Sequence, residues 1–269
     1  MSMSDLRESN RRGGFYWDKR KPYISVTTIL QVLDKPALRW WFGQQVYNAM
    51  VVDPTLGQKE ALNAPYATSK KAMSRGTTVH SIVENYKHSK EYLAKLPEDF
   101  KPYAEAFYTW FEDNDVEIVD NEMTVLSKKY GYAGTLDITF KFRKKGRLLI
   151  GDIKTGKDIY EEVFLQLSAY KNAYEEMKKQ PIDGIAVILL STGRDGKATG
   201  KYKFEEGEYC FDEFLAARKL WIWKNQDLIQ SIKKQMAAKK TREPQKKGVQ
   251  VESNENELAK ALNNTEGGE

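Results

Sequence analysis

The sequence predicts a mixed α/β domain of the α+β kind, and three observations predict it. Apolar residues recur at helical spacing up to about residue 113, after which the spacing shortens to two over segments 116–127, 132–142 and 147–153. A helical pattern over 159–178 then separates these from 182–190, a run so continuously apolar that it reads as a strand covered on both faces. Finally, 41% apolar and 12% aromatic residues in a chain of 269 supply ample material for a packed core.

Taken in order, residues 1–22 are polar, with Arg11, Arg12, Gly13 and Gly14 in a row, and are expected to form a flexible arm. The folded domain is expected over 23–242: a mostly helical part at 23–113, a sheet-bearing core at 114–206 and a long carboxy-terminal helix at 207–242. Residues 23–33 read as a short extended piece turning into helix, with Ser25 or Thr27 as a cap, and Lys35-Pro36 ends it. Residues 37–50 place Leu38, Trp41, Phe42 and Val46 on one helical stripe. Trp40 lies off that stripe, where an edge-packing role and a base-stacking role are both open, whereas Trp41 reads first as core.

Asp53-Pro54 and Ala64-Pro65 bracket a connection, followed by a helix over 68–88 with Val79, Ile82, Val83 and Tyr86 inward. A further helix over 98–113 carries Tyr103, Phe107, Trp110 and Phe111. The three strands that follow, joined by turns at 128–131 and 143–146, form an antiparallel meander. The helix at 159–178 and the strand at 182–190 complete a mixed central sheet, with 201–206 as an edge strand. The last helix ends in a basic run from Lys233 to Lys247, which reads as a solvated helix end or a nucleic-acid contact. Residues 243–269 are expected to be a disordered acidic tail.

Composition excludes several chemistries. A single cysteine, Cys210, cannot build a disulfide framework, a four-cysteine zinc site or an iron-sulfur cluster, and suits a reducing compartment. Neither an apolar leader nor a run approaching a membrane span is present, so a soluble cytoplasmic protein with no membrane partner is expected. A net charge of +5 permits a nucleic-acid partner without demanding one. The chain carries no Gly-Lys-Ser or Gly-Lys-Thr phosphate loop, so a helicase or recombination partner would be a separate polypeptide.

The chemistry concentrates between residues 132 and 170. Asp152 and Lys154, two apart on a strand, leave the same face of the sheet, and Asp137 on the preceding strand can approach them across the turn. Paired carboxylates suit a hard cation such as Mg2+ or Mn2+. The pair alone is weak, because Glu176 with Lys178 and Asp195 with Lys197 repeat the spacing without an apolar strand before them, and a strand-end ion pair is an equal reading. Gln166 falls on the buried stripe of the next helix, four residues before Tyr170, and there an amide requires a polar partner. The alternative is a core Tyr170 with Gln166 at a wet edge. His80 lies beside an apolar helical stripe, one turn after Gly76, with Arg75 and Thr77 offering phosphate-binding groups; His88 reads as surface.

In this order the residues resemble a known family. Arg75-Gly76-Thr77 with His80, Gly134-Thr135-Leu136-Asp137, Asp152-Ile153-Lys154, and Gln166 with Tyr170 look like the PD-(D/E)XK nucleases of the RecB-like group, over residues 68–178. Leu136 replaces the family's leading proline. The resemblance implies a restriction-endonuclease-like core, with His80, Asp137, Asp152 and the Ile153 carbonyl as metal ligands and Lys154 as the catalytic lysine. It also implies Gln166 and Tyr170 at the catalytic centre, and Glu122 either as an accessory acid or as a solvent-facing strand residue. Ser25-Val26-Thr27-Thr28-Ile29-Leu30, Lys35-Pro36-Ala37-Leu38 and Trp40-Trp41 are similar to a branch that includes phage exonucleases and the mitochondrial genome maintenance exonuclease. That branch implies a stand-alone, Mg2+-dependent exonuclease on single-stranded DNA ends in replication, recombination or repair. Arg75, Thr77, Trp40 and Trp41 would then hold the strand. A structure-selective or restriction-type endonuclease on the same fold, and a non-catalytic single-strand-binding protein, are the alternatives.

Overall fold

In the computed structural model, residues 14–19, 21–86, 89–193 and 196–241 are described, together forming a mixed α/β fold around a seven-stranded sheet. His88, the carboxy-terminal tail and the Arg11-Arg12 stretch lie outside the described residues. The strands are β1 (Phe15–Asp18), β2 (Lys21–Ser25), β3 (Val116–Ser127), β4 (Tyr132–Phe142), β5 (Leu148–Gly156), β6 (Gly184–Thr192) and β7 (Ala198–Gly207). The helices are α1 (Val26–Ile29), α2 (Pro36–Val52), α3 (Gln58–Glu84), α4 (Ser89–Lys95), α5 (Lys101–Asp113), α6 (Glu162–Lys178), α7 (Phe211–Lys224) and α8 (Gln226–Thr241).

The meander of β3, β4 and β5 is antiparallel, as its turns predict. β6 returns parallel to β5 by way of α6, and β7 closes that side antiparallel. Two cores flank the sheet. One joins Leu136, Ile150 and Val187 to Leu167, Tyr170 and Tyr174 of α6 and to Phe214 and Trp221 of α7. The other joins Ile138, Phe140, Leu149 and Ile188 to Val79 and Ile82 of α3 and to Phe107 and Trp110 of α5. β6, apolar at every step from Ile185 to Leu190, sends Ile185 and Val187 into the first core and Ala186, Ile188 and Leu190 into the second, which is why its sequence shows no polar face.

Three expectations need correction. The expected arm is already sheet at Phe15: β1 pairs with β2 as a hairpin, and Tyr16 and Tyr23 are buried against Leu126 and Ala133. The basic, glycine-bearing run just before it masks a strand signal carried by only three aromatic residues. The helix expected from residue 68 begins at Gln58 and runs through Pro65, whose missing N–H removes one ladder bond but not the helix, since α2 packs along this half and holds it. The single long carboxy-terminal helix is two, α7 and α8, broken at Asn225, whose side-chain amide donates to the Trp221 carbonyl and competes with the helical ladder.

The feature that creates a site is a change of partner along β4. One edge of β4 is covered by β3 from end to end. The other edge is shared: Tyr132 and Ala133 pair in parallel with β2, and residues from Ile138 to Lys141 pair antiparallel with β5. Between them, Gly134, Thr135, Leu136 and Asp137 face an opening in the sheet.

Candidate metal centre

Asp137 stands at the mouth of that opening. The β4–β5 register ends at Ile138 opposite Gly151, so the next step brings Asp137 opposite Asp152. There the ladder is replaced by a side chain: the Ile153 amide donates to Asp137 Oδ2 at 2.7 Å. Because N–H and C=O of one extended residue leave the same strand edge, the Ile153 carbonyl also faces the opening.

Two helices reach the opening from opposite faces of the sheet. From α3, His80 Nδ1 approaches Glu122 Oε1 at 2.7 Å and Asp137 Oδ1 at 3.6 Å. These three side chains offer ligand atoms that all lie within 4.8 Å of one another. From α6, Gln166 donates from Nε2 to Asp152 Oδ1 at 3.1 Å and to the Tyr170 hydroxyl at 3.2 Å. Asp152 is 1% exposed, and its Oδ2 has the Lys154 ammonium as partner at 2.5 Å. His80, Asp137, Asp152, Ile153, Lys154, Gln166 and Tyr170 are thus gathered in one place, from two helices and two strands.

Glu122 joins them, and its backbone is part of the reason. It lies on β3 beside Asp137, in the left-handed region at φ 46°. A glutamate there is strained by roughly 1–2 kcal/mol, and such strain concentrates at functional sites. The sequence holds no signal for that backbone conformation. Tyr16 was also hidden, in what reads as an arm; its hydroxyl lies 3.2 Å from Thr135 Oγ1, at the end of the opening beside β2.

The charges are mutually dependent. Burial pushes the Asp137 carboxyl up, and neighbouring Asp152 adds to this, so that against the opposing pull of His80 and Lys154 it titrates at about 7. Burial lowers His80, but the hydrogen bond to Glu122 and the charge of Asp137 outweigh it and raise the imidazole to about 9. Partial burial opposes the Lys154 charge, while Asp152 and Asp137 more than restore it. Burial, then Tyr16, Asp152 and Asp137, hold the Tyr170 phenol well above its ordinary value, so it stays neutral. In the metal-free molecule, an imidazolium and an ammonium therefore supply the positive charge that the acids require.

Among the described residues, His80, Glu122 and Asp137 form a group that could hold a metal ion, and the Asp152 carboxylate and the Ile153 carbonyl border it, an oxygen-rich surround of the kind a hard divalent cation takes. Thr77 is exposed one turn before His80, and the Arg75 side chain lies outside the described residues. Trp40 and Trp41 are not drawn in. Both lie on α2, whose neighbour Phe42 meets α3 at Tyr66, about 20 Å along the helix axis from His80. Trp41 is partly buried, edge-on to Phe42, and Trp40 is exposed.

One glycine is demanded by this arrangement. A Cβ on Gly134 would stand 2.3 Å from Tyr170 Cε1, in a ring that is almost wholly buried. Gly134→Ala is therefore expected to displace the ring, release Gln166 from Asp152 and cost about 1–3 kcal/mol in urea unfolding. An unchanged unfolding midpoint would show that the ring has room to yield.

No family model and no curated protein matches the chain. Among solved structures, one described as "Crystal structure of SSO0001" is similar over 77% of each chain, at 12% identity and a TM-score of 0.36. No helix among the described residues is long and apolar enough to cross a membrane.

Proposed function

We propose that this chain is a metal-dependent deoxyribonuclease that hydrolyses phosphodiester bonds at single-stranded DNA ends. The reading is supported above all by the meeting of Asp137, Asp152 and Lys154 with His80 in the opening between β4 and β5. The family resemblance carried by the same residues adds the nucleic-acid substrate.

The side chains divide the work as follows. Water adds to phosphorus and gives up a proton to solvent, the bond from phosphorus to the leaving oxygen breaks, and that oxygen takes up a proton from solvent and is released as an alcohol. A bound Mg2+ or Mn2+ supplies Lewis acidity and lowers the pKa of its water. His80, Glu122, Asp137, Asp152 and the Ile153 carbonyl would hold the ion. Lys154, half-exposed beside Asp152, faces the incoming phosphate and neutralises charge that builds on its oxygens. Gln166 fixes the Asp152 carboxylate, and neutral Tyr170 fixes Gln166 without adding charge. Thr77 offers a hydroxyl to a phosphate on the α3 side of the site.

The test is digestion of end-labelled linear and of circular DNA, single-stranded and duplex, with Mg2+, Mn2+ or chelator. Linear single strands are expected to be degraded and circles spared, with no cleavage in chelator. Cutting of circles would assign the site to an endonuclease, and metal-independent cleavage would overturn the mechanism.

A further inference from the structure

Past Gly151, β5 keeps β6 on one edge and, among the described residues, has no strand on the other, since β4 stops pairing with it at Ile138. The N–H and C=O groups of an extended strand alternate between its two edges. Ile153 turns its pair toward the opening, where its amide meets Asp137, so Thr155 does the same two residues on. That step is about 6.6 Å along the strand, on the scale of the spacing between neighbouring phosphates of an extended nucleic-acid strand. Thr155 thus offers an N–H donor one phosphate away from the candidate metal centre.

The chain turns at residues 157–161 and returns in α6, whose Gln166 meets Asp152, so both legs of this turn lead to one carboxylate. Its backbone is fixed. Ile159 packs on the first core, the Tyr160 and Glu161 carbonyls accept from the Val163 and Phe164 amides, and Glu162 pairs with Lys35 at 3.3 Å. Tyr160 follows the anchored Ile159 and is turned outward, 62% exposed. Among the described residues no ring, cation or hydrogen-bond partner meets its side chain. At 1.5 Å per residue down α6, it stands roughly 10 Å from Gln166, within reach of the nucleotide beside the cleaved bond. Exposed Lys157 is offset by exposed Asp158 and Glu161, so the turn has no excess positive charge with which to grip a polyanion. What it offers a strand is a held aromatic ring.

We propose that Tyr160 is the base platform of this site: the unpaired base beside the cleaved bond stacks on its ring, and the Thr155 N–H receives the adjoining phosphate. This rests on the nuclease reading above, and it gives Tyr160 the place that the sequence offered to Trp40 and Trp41. Such a ring accepts any base, because every base has a π-face. It selects a single strand, because in a duplex both faces of an internal base are covered by its neighbours.

The test is equilibrium binding of the full chain to a labelled single-stranded oligonucleotide in Ca2+, read by fluorescence anisotropy, with cleavage in Mg2+ measured beside it. Tyr160→Ala is expected to weaken binding about five- to hundredfold, while Tyr160→Phe and Tyr160→Trp stay within about twofold of wild type. The salt dependence of binding should not change, because no phosphate contact is removed, and the urea midpoint should hold, because the residue is exposed. An abasic residue moved along the strand weakens the wild type at one position and leaves Tyr160→Ala unaffected there. A neutral methylphosphonate at the adjoining phosphate weakens both proteins alike, and its having no effect overturns the Thr155 contact. Tyr160→Ala that binds like wild type overturns the stacking role, as does Tyr160→Phe that binds as weakly as Tyr160→Ala, which would assign a hydroxyl contact instead. A wild-type chain that neither binds nor cuts single strands overturns the nuclease reading and this proposal together. Cleavage by a wild type whose binding Tyr160→Ala matches overturns this proposal alone.

Discussion

Asp152→Asn is expected to reduce metal-dependent hydrolysis of linear single-stranded DNA by about 10^3-fold or more while leaving the chain folded. The substitution keeps the shape of a side chain that is 1% exposed but removes its charge. An amide in this position can keep one hydrogen-bond partner but turns its N–H group toward the Lys154 ammonium or the Gln166 amide, donor against donor. On the proposed reading the ion would then lose an anionic ligand, and Lys154 loses its carboxylate partner. Stability should change by no more than about 1 kcal/mol, because Lys154 is 45% exposed and can turn to solvent, while Asp137 is relieved of a like charge. Turnover with Mg2+ and urea unfolding, measured on the same preparation, check both halves. Retention of a tenth of the wild-type rate would remove Asp152 from the chemistry, and loss of the fold would make it a structural residue instead.

The second large effect is on stability as a function of pH and metal. Asp137 is raised from 3.8 to about 7, so between these values the native chain binds more protons than the unfolded one, and stability falls as pH rises. His80 is raised from 6.5 to about 9, and the same sign applies across that interval: its contribution is complete below 6.5 and lost through 9. Without metal, these two groups therefore make the protein progressively less stable from about pH 4 to about pH 9, Asp137 accounting for roughly 2–4 kcal/mol. On the proposed reading Mg2+ or Mn2+ would bind the deprotonated groups, so its stabilising effect should grow with pH and offset the loss. Thermal unfolding from pH 5 to pH 9, in chelator and in Mn2+, measures this. Asp137→Asn should flatten the acid limb in chelator and abolish the Mn2+ effect. A Mn2+ effect that did not increase with pH, or that survived in Asp137→Asn, would place the ion elsewhere.

Legibility in the sequence followed how local each cause is. β3 and β4 begin and end where the alternating pattern places them, because side-chain period and burial on two faces are written in consecutive residues. Asp152 and Lys154 leave one face of β5 for the same reason. The α2–α3 hairpin is less legible, since Pro65 looks like a stop and becomes tolerable only with α2 packed alongside. Glu122 could not be assigned, because its carboxylate reaches His80 from a left-handed backbone that no residue around it announces. Tyr16 carries no sequence signal of its own, because a four-residue strand is too short to show a period.

The sequence by itself determined a mixed α/β domain in which two acids and a lysine lie on neighbouring strands, with an amide and a phenol on one face of the following helix. Only the tertiary structure decided that β2 and β5 share one edge of β4, leaving an opening at Asp137 into which α3 delivers His80 and α6 delivers Gln166. The physical reason is that periodicity belongs to a single segment, whereas register and shared edges arise from pairing between segments distant in the chain.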